Sequence, residues 1–161
     1  MPDHRGFHKP FVRPAVVDDV VYLSTCLRQA DLDEIKANCG LDPKDALMVG
    51  FECSSQCYTG MYNNNPFIIF GATPTTEGVG ACWALGSDDL LKARREFLRQ
   101  SEYWIDKLHE EYPLLFNYVD ARNTVHIRWL KWLNFKFINL HKEFGEGRLP
   151  FYEFVRITNH V

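Results

Sequence analysis

The chain has 161 residues, of which 46% are hydrophobic and 24% are charged, and this composition excludes a disordered or fibrous protein. A formal net charge of −3 gives no basic field for neutralising phosphates, so nucleic acid is not expected as a partner. No apolar run reaches the length of a membrane span or resembles a signal peptide, and we expect the protein to remain in the cytoplasm where it is made.

The first part of the chain predicts one strand and three helical segments. Residues 1–10 are polar and predict an N-terminal extension, and residues 11–15 predict a short strand. The helical segments are a helix with the apolar stripe Val20, Leu23 and Leu27, a second pattern stopped by Gly40, and a third opened by Asp42-Pro43.

The middle of the chain predicts three strands followed by a long helix. Residues 57–72 form a hairpin around the turn Asn63-Asn64-Asn65-Pro66, and residues 78–85 form a third central strand. Ser87, Asp88 and Asp89 are typical of a helix N-terminus, and the amphipathic helix that they open continues until Pro113 stops it.

The last part of the chain predicts a strand over residues 114–119, a helix over 123–132, and two final strands over 135–140 and 150–157. The two final strands are separated by the turn-prone Gly145-Glu146-Gly147. No repeat or linker interrupts this order, so the pattern predicts a single α/β domain with a mixed central sheet flanked by helices.

The five cysteines form an odd set without a CxxC pair, so the sequence indicates neither a disulfide framework nor a zinc ribbon. We expect reduced, structural thiols. Cys53 and Cys57 are four positions apart and remain an alternative pair of ligands, but nothing completes a tetrahedron, and no metal site is predicted.

The passage from Leu115 to Phe135 carries a resemblance to a known fold. Asn123 and Phe135 are twelve positions apart, with a strand before the Asn and an apolar helix after it. This spacing and the element order resemble the GNAT acetyltransferases, whose helix ends in Leu-Gly-Phe. Asn134 replaces that glycine, and Asn also tolerates a positive φ. The resemblance implies a GNAT-like fold.

Four passages resemble a more specific family. They are Phe-Val-Arg-Pro-Ala, Leu-Arg-Gln-Ala-Asp, Trp-Ala-Leu-Gly-Ser-Asp-Asp and Val-Asp-Ala-Arg-Asn-Thr-Val-His-Ile-Arg-Trp-Leu. Together they are similar to the short-tailed coliphage gene-thirteen protein family. That resemblance implies a role in virion morphogenesis and internal virion protein assembly, with phage virion or host proteins as partners. It implies action in the host cytoplasm and leaves packaging in the virion open.

The GNAT resemblance implies acetyl-CoA as a cofactor, but the sequence departs from the family pattern at two places. The loop that would hold the pyrophosphate is Gly-Ser-Asp-Asp-Leu-Leu, starting at Gly86, so Asp88 and Asp89 lie where the phosphates would bind. Leu130 replaces the tyrosine that acts as the general acid in the family. We therefore expect the catalytic parts to be altered.

The remaining candidate residues follow from position and chemistry. Asn123 either contacts the cofactor arm and the splayed strands or caps the helix that follows it. The candidate cofactor-binding residues are Asn123, Ser87, Arg94 and Arg95. The candidate catalytic residues are Tyr118 and His126, for which packing and a helix-surface position are the structural alternatives.

Two functions are compatible with these features. The first is a phage-encoded GNAT-like protein that acts in virion assembly through protein contacts, without normal acetyltransferase catalysis. The alternative is an acetyl-CoA-dependent N-acetyltransferase that modifies a host or virion amine. A weaker third hypothesis assigns the cleft to a small ligand other than coenzyme A.

Overall fold

A computed structural model describes residues 9–158, and in this part of the chain five helices surround a sheet of seven strands. Most of the predicted N-terminal extension therefore lies outside the described residues. None of the described helices is long and apolar enough to cross a membrane. The elements are β1 (Phe11–Pro14), α1 (Val17–Ser24), α2 (Gln29–Asn38), α3 (Pro43–Cys53), β2 (Gln56–Tyr62), β3 (Asn65–Thr76), β4 (Val79–Gly86), α4 (Leu90–His109), β5 (Leu114–Asp120), α5 (Thr124–Trp132), β6 (Lys136–Phe144) and β7 (Leu149–Ile157).

The helices cover both faces of the sheet. On one face, α1, α2 and α3 bury Leu23, Ile35 and Leu47 against Ile69 of β3. On the other face, α4 and α5 pack on the sheet, and Phe97 meets Phe67 edge to face at 5.4 Å between ring centroids. The two faces follow from strand geometry, because successive side chains of a strand point in opposite directions.

The sheet contains one parallel pair, and this pair positions the candidate site. The strand order is β1-β2-β3-β4-β5-β7-β6, and β4 pairs with β5 only from Val79 to Ala81 against Leu114 to Phe116. Beyond these residues β4 continues to Gly86 and β5 to Asp120 without backbone pairing to each other, while β5 pairs with β7 along its whole length. The ends of β4 and β5 therefore diverge and leave a notch between them, a place where open α/β sheets commonly bind ligands.

Three asparagines adopt the left-handed conformation, two in the predicted hairpin turn and one after α5. Asn63 and Asn64 have φ values of 49° and 64° in the β2–β3 hairpin, where a two-residue turn requires positive φ. Asn134 has a φ of 65° directly after α5. The expectation that Asn134 takes the backbone role of a glycine is confirmed.

The turn between β6 and β7 packs on the end of α2. The backbone N–H groups of Glu146 and Gly147 donate to the carbonyls of Asn38 and Ala37 at 3.0 and 2.8 Å. Gly145 has a φ of 69°, and a Cβ at this position would lie 2.5 Å from the Ala37 carbonyl oxygen. Glycine is required here by both the backbone conformation and the close approach.

One predicted helix ends earlier than its apolar stripe indicated. The apolar stripe predicts that the first helix continues to Leu27, but α1 ends at Ser24. Leu27 instead forms an isolated antiparallel bridge with Ser87 at the end of β4. The prediction for Leu27 was wrong because a tertiary backbone pairing, which local periodicity cannot indicate, takes this residue out of the helix.

Candidate functional site

A cavity of about 530 Å³ lies between α4 and α5, beside the end of β4. Ile68, Ala84 and Phe97 supply apolar parts of its lining, and Leu91 and Trp132 are exposed side chains that also line it. The volume is in the range of small-ligand sites, which are mostly apolar with a few polar groups.

Arginines give this cavity a positive charge. Arg94 and Arg95 of α4 and Arg128 of α5 line it with exposed side chains, and none of the three forms an ion pair within residues 9–158. Two predicted cofactor-binding residues, Arg94 and Arg95, therefore lie at the cavity. Unpaired guanidinium groups on facing helices favour an anionic ligand.

The notch between β4 and β5 is closed by residues 27–31, which we call the strap. The backbone N–H of Arg28 donates to the Gly86 carbonyl at 2.9 Å, and the Gly86 N–H donates to Asp31 Oδ2 at 3.0 Å. Leu27 bridges Ser87 next to them. Since both backbone groups of Gly86 are hydrogen-bonded within the chain, they are not free to hold a ligand.

Asn123 fixes the strap from the other side of the notch. It occupies the N-cap position of α5, as the capping alternative predicted, but its side chain makes no capping hydrogen bond. Its Nδ2 donates to Asp31 Oδ1 at 3.3 Å, and its Oδ1 accepts from Arg28 Nη2 at 3.4 Å. Asn123 is only 2% exposed. These bonds connect the start of α5 to the start of α2 across the notch.

The turn before α4 uses its own N–H groups. Ser87 Oγ accepts from the Asp89 N–H at 3.3 Å, and the Leu90 N–H donates to the Ser87 carbonyl at 3.0 Å. The Leu91 N–H donates to the Asp88 carbonyl at 3.1 Å. Of the predicted cap residues, Ser87 supplies the side-chain hydrogen bond, while Asp89 does not. The turn therefore does not fit a pyrophosphate in the manner of a glycine-rich loop.

The two candidate catalytic residues lie in different places. Tyr118 stacks on Phe144 with ring centroids 4.5 Å apart. Its neighbours Leu115 and Val119 point toward α5, so alternation directs Tyr118 to the opposite face, away from the cavity. Leu130, which replaces the family's acid, is buried in the core at 4% exposure.

His126 does line the cavity. Burial, followed by the charge of Arg28, lowers the pKa of His126 to about 4, so the imidazole is neutral at neutral pH. Its ring contacts Trp129 at 5.8 Å, and it makes no hydrogen bond within the described part of the chain. Of the two candidates, His126 is the one whose position allows contact with a bound ligand.

Comparison with known proteins identifies the family. Residues 75–145 match the family described as Bacteriophage T7, probable scaffold protein Gp13. The probable scaffold protein gp13 of Escherichia phage T7 is 33% identical over 123 residues, covering 74% of this chain and 80% of that protein. The chain belongs to the gp13 family. The resemblance seen in the four sequence passages is thereby confirmed.

Solved structures show that this gp13-family chain has the GNAT acetyltransferase fold. The N-acetyltransferase from Staphylococcus aureus Mu50 matches with a TM-score of 0.71 at 12% identity, covering 92% of this chain and 98% of that one. The ribosomal-protein-alanine N-acetyltransferase from Brucella melitensis matches with a TM-score of 0.68 at 12% identity, covering 92% of this chain and 99% of that one. Aminoglycoside acetyltransferase AAC(6')-Ib in complex with coenzyme A matches with a TM-score of 0.65 at 14% identity, covering 92% of this chain and 95% of that one. The fold prediction is confirmed.

A cluster of three polar side chains beside the strap, of which Asp31 is buried and the other two are half-buried, was not anticipated from the sequence. Asp31 and Glu34 of α2 approach His126 of α5. One carboxylate oxygen of each acid and one ring nitrogen of the histidine all lie within 4.8 Å of one another. Burial raises the pKa of Asp31 and raises that of Glu34 to about 8. The available signal was the spacing of Asp31 and Glu34, which are three apart on the helix beside the apolar Ile35.

Proposed function

We propose that this chain acts in assembly of the phage particle through contacts with virion proteins, and that it does so without normal acetyl transfer. Membership of the gp13 family supports the assembly role, since the phage T7 relative is described as a probable scaffold protein. The proposed place of action is the host cytoplasm, where particles are built. The closed notch supports the absence of transfer.

The hydrogen bonds of Gly86 are the observation that carries this proposal. In the GNAT resemblance, splayed strands admit the cofactor arm and a helix N-terminus binds its pyrophosphate. Here Arg28 and Asp31 occupy both backbone groups of Gly86, and the turn that starts at Ser87 uses its own N–H groups. The end of β4 and the turn before α4 therefore do not offer coenzyme A the backbone hydrogen-bond partners that the GNAT resemblance implies.

Opening the strap would be costly. Asp31 is 2% exposed and Arg28 is 8% exposed, with Nη1 of Arg28 at 3.6 Å from Oδ1 of Asp31. Separating a buried ion pair costs about 3–5 kcal/mol, because it leaves an uncompensated charge. A ligand that displaced the strap would lose roughly a hundredfold or more in affinity to this cost.

Calorimetry with acetyl-CoA tests the absence of cofactor binding. We expect no heat of binding and no thermal shift for the purified chain, under conditions in which an active GNAT enzyme binds. Micromolar binding would refute the proposal that the chain lacks acetyl transfer. The experiment needs no acceptor, so it does not depend on identifying a substrate.

Complementation tests the assembly role. A phage lacking this gene should regain its particle yield when the host expresses the chain, and also when it expresses the variant Arg94→Glu/Arg128→Glu, which reverses charge at the cavity. Failure of the parent chain to restore particles would refute the assembly role. Failure of the variant alone would favour a cavity-dependent activity. An immunoblot of purified particles shows whether the chain is packaged.

The alternative function is an acetyl-CoA-dependent N-acetyltransferase that modifies a host or virion amine. The cavity of about 530 Å³ favours it, because Arg94, Arg95 and Arg128 line the cavity without ion-pair partners within residues 9–158. Neutral His126 would then be the candidate base. Binding in the calorimetry, followed by acetylation of virion or host amines in mass spectra, would distinguish this function from assembly alone.

A further inference from the structure

The group formed by Asp31, Glu34 and His126 has the composition of a metal centre. We propose that these three side chains bind a divalent transition-metal cation, with Zn²⁺ as the best match. One imidazole and two carboxylates are ligands that zinc accepts. The proposal does not rest on the assembly role or on acetyl transfer.

The geometry allows one ion to contact all three side chains. Their ligand atoms lie within 4.8 Å of one another. Around zinc, ligands at about 2.0–2.2 Å from the ion stand roughly 3.5 Å apart in a tetrahedron. Closing the group therefore requires side-chain movements of about 1 Å, which rotations of Glu34 and His126 can supply.

Backbone groups already orient the two carboxylates. The Asp120 N–H donates to Glu34 Oε1 at 2.6 Å, and the Gly86 N–H donates to Asp31 Oδ2 at 3.0 Å. Such outer partners fix the direction of metal ligands. His126 makes no hydrogen bond within residues 9–158, so its ring nitrogens are available. The imidazole of His126 and the two oriented carboxylates can therefore act on one ion.

The two carboxylates supply negative charge for a divalent cation, and the imidazole supplies a nitrogen lone pair. Nearby Asp120 is already paired with Arg122 at 2.7 Å.

The cavity between α4 and α5 provides access. Asp31 and His126 both line it, so an ion can enter from solvent and retain water in its remaining positions. Three protein ligands with an open position are typical of zinc sites that bind a further molecule. The exposed Cys39 and Cys53 are potential competitors for zinc and must be removed in the test.

Arg28 opposes the ion and thereby sharpens the test. Its Nη1 lies 3.6 Å from Asp31 Oδ1, so its charge repels a cation at this place. Removing that charge should increase metal affinity, whereas a nonspecific surface site would not respond. We expect Arg28→Gln to tighten binding about tenfold.

The experiment uses the full chain carrying Cys39→Ser and Cys53→Ser, stripped with a chelator and titrated with Zn²⁺ by calorimetry. We expect one ion per chain and little binding of Mg²⁺, which prefers oxygen ligands. His126→Asn and Glu34→Gln should each weaken binding by about a hundredfold or more. Asp33→Asn, on the same helix, is the matched control and should bind zinc like the parent.

Circular dichroism verifies that each variant is folded. Equal zinc binding by the parent and by folded His126→Asn would overturn the proposal, because the ion would then bind elsewhere. Absence of stoichiometric binding in both the parent and Arg28→Gln would also overturn it. Tighter binding by Arg28→Gln together with loss in His126→Asn supports it.

Discussion

Replacing Asp31 by Asn tests the strap without creating a cavity, because the two side chains have the same shape. The oxygens of Asp31 accept hydrogen bonds from Gly86 N–H at 3.0 Å and Asn123 Nδ2 at 3.3 Å. Asn has one acceptor oxygen, so one of these donors would face an amide NH₂ group. Arg28 would also lose the carboxylate that lies 3.6 Å from it.

Removing one partner of a buried pair lowers the free energy of unfolding by about 3–5 kcal/mol. Burial raises the pKa of Asp31 and so disfavours its charged form, which offsets part of this loss and indicates a value near the lower end of the range. We therefore expect the free energy of unfolding to fall by about 3 kcal/mol. Urea denaturation followed by circular dichroism measures it. Asp33→Asn is the control and should change stability by no more than about 0.5 kcal/mol. A loss below about 1 kcal/mol for Asp31→Asn would refute the reasoning.

Two further substitutions and one labelling experiment have defined outcomes. Burial opposes ionisation of Asp19, but hydrogen bonds led by Arg13 outweigh it and hold the carboxyl pKa below its ordinary value. Asp19→Asn should therefore lose stability at neutral pH, and thermal unfolding should show the difference shrinking as the pH falls through the folded-state pKa. Burial raises the pKa of Cys82 to about 12, so alkylation followed by peptide mass spectrometry should label exposed Cys53 first. Leu130→Tyr should lower stability by about 1–3 kcal/mol in urea, because it overpacks the core.

Each of these outcomes has a control. A stability difference between Asp19→Asn and the parent that persists unchanged in acid would contradict the assigned pKa direction. Labelling in denaturant should make Cys82 and Cys53 equally reactive, and equal labelling of the folded chain would show that Cys82 is accessible. If Leu130→Tyr were as stable as the parent, the core would have room for the acid that the GNAT pattern requires.

The order of elements could be predicted because each element carries its own local signal. The turn at Asn63-Asn64 and the cap at Ser87 punctuate the chain where the backbone changes direction. Asn134 could be assigned a positive φ because few residues tolerate that conformation. These signals depend on only a few neighbouring residues, so they can be recognised in the sequence without knowledge of the tertiary structure.

The closure of the notch could not be predicted, because it depends on contacts between distant parts of the chain. Leu27 fits a helical stripe, and only its pairing with Ser87 removes it from α1. Tyr118 and His126 were equivalent as candidates until strand direction separated them. Asp31 approaches Asn123 only because α2 and α5 meet at the end of the sheet.

The contact of the β6–β7 turn with α2 has a consequence for synthesis of the chain. Glu146 and Gly147 hold the end of the helix that carries Asp31 and Glu34, and β7 completes the pairing of β5. Both contacts come from residues that lie after α2 in the chain, so these residues leave the ribosome later than α2 does. The nascent helix therefore emerges before its final partners, and its contacts with the β6–β7 turn form only after β6 and β7 have been translated.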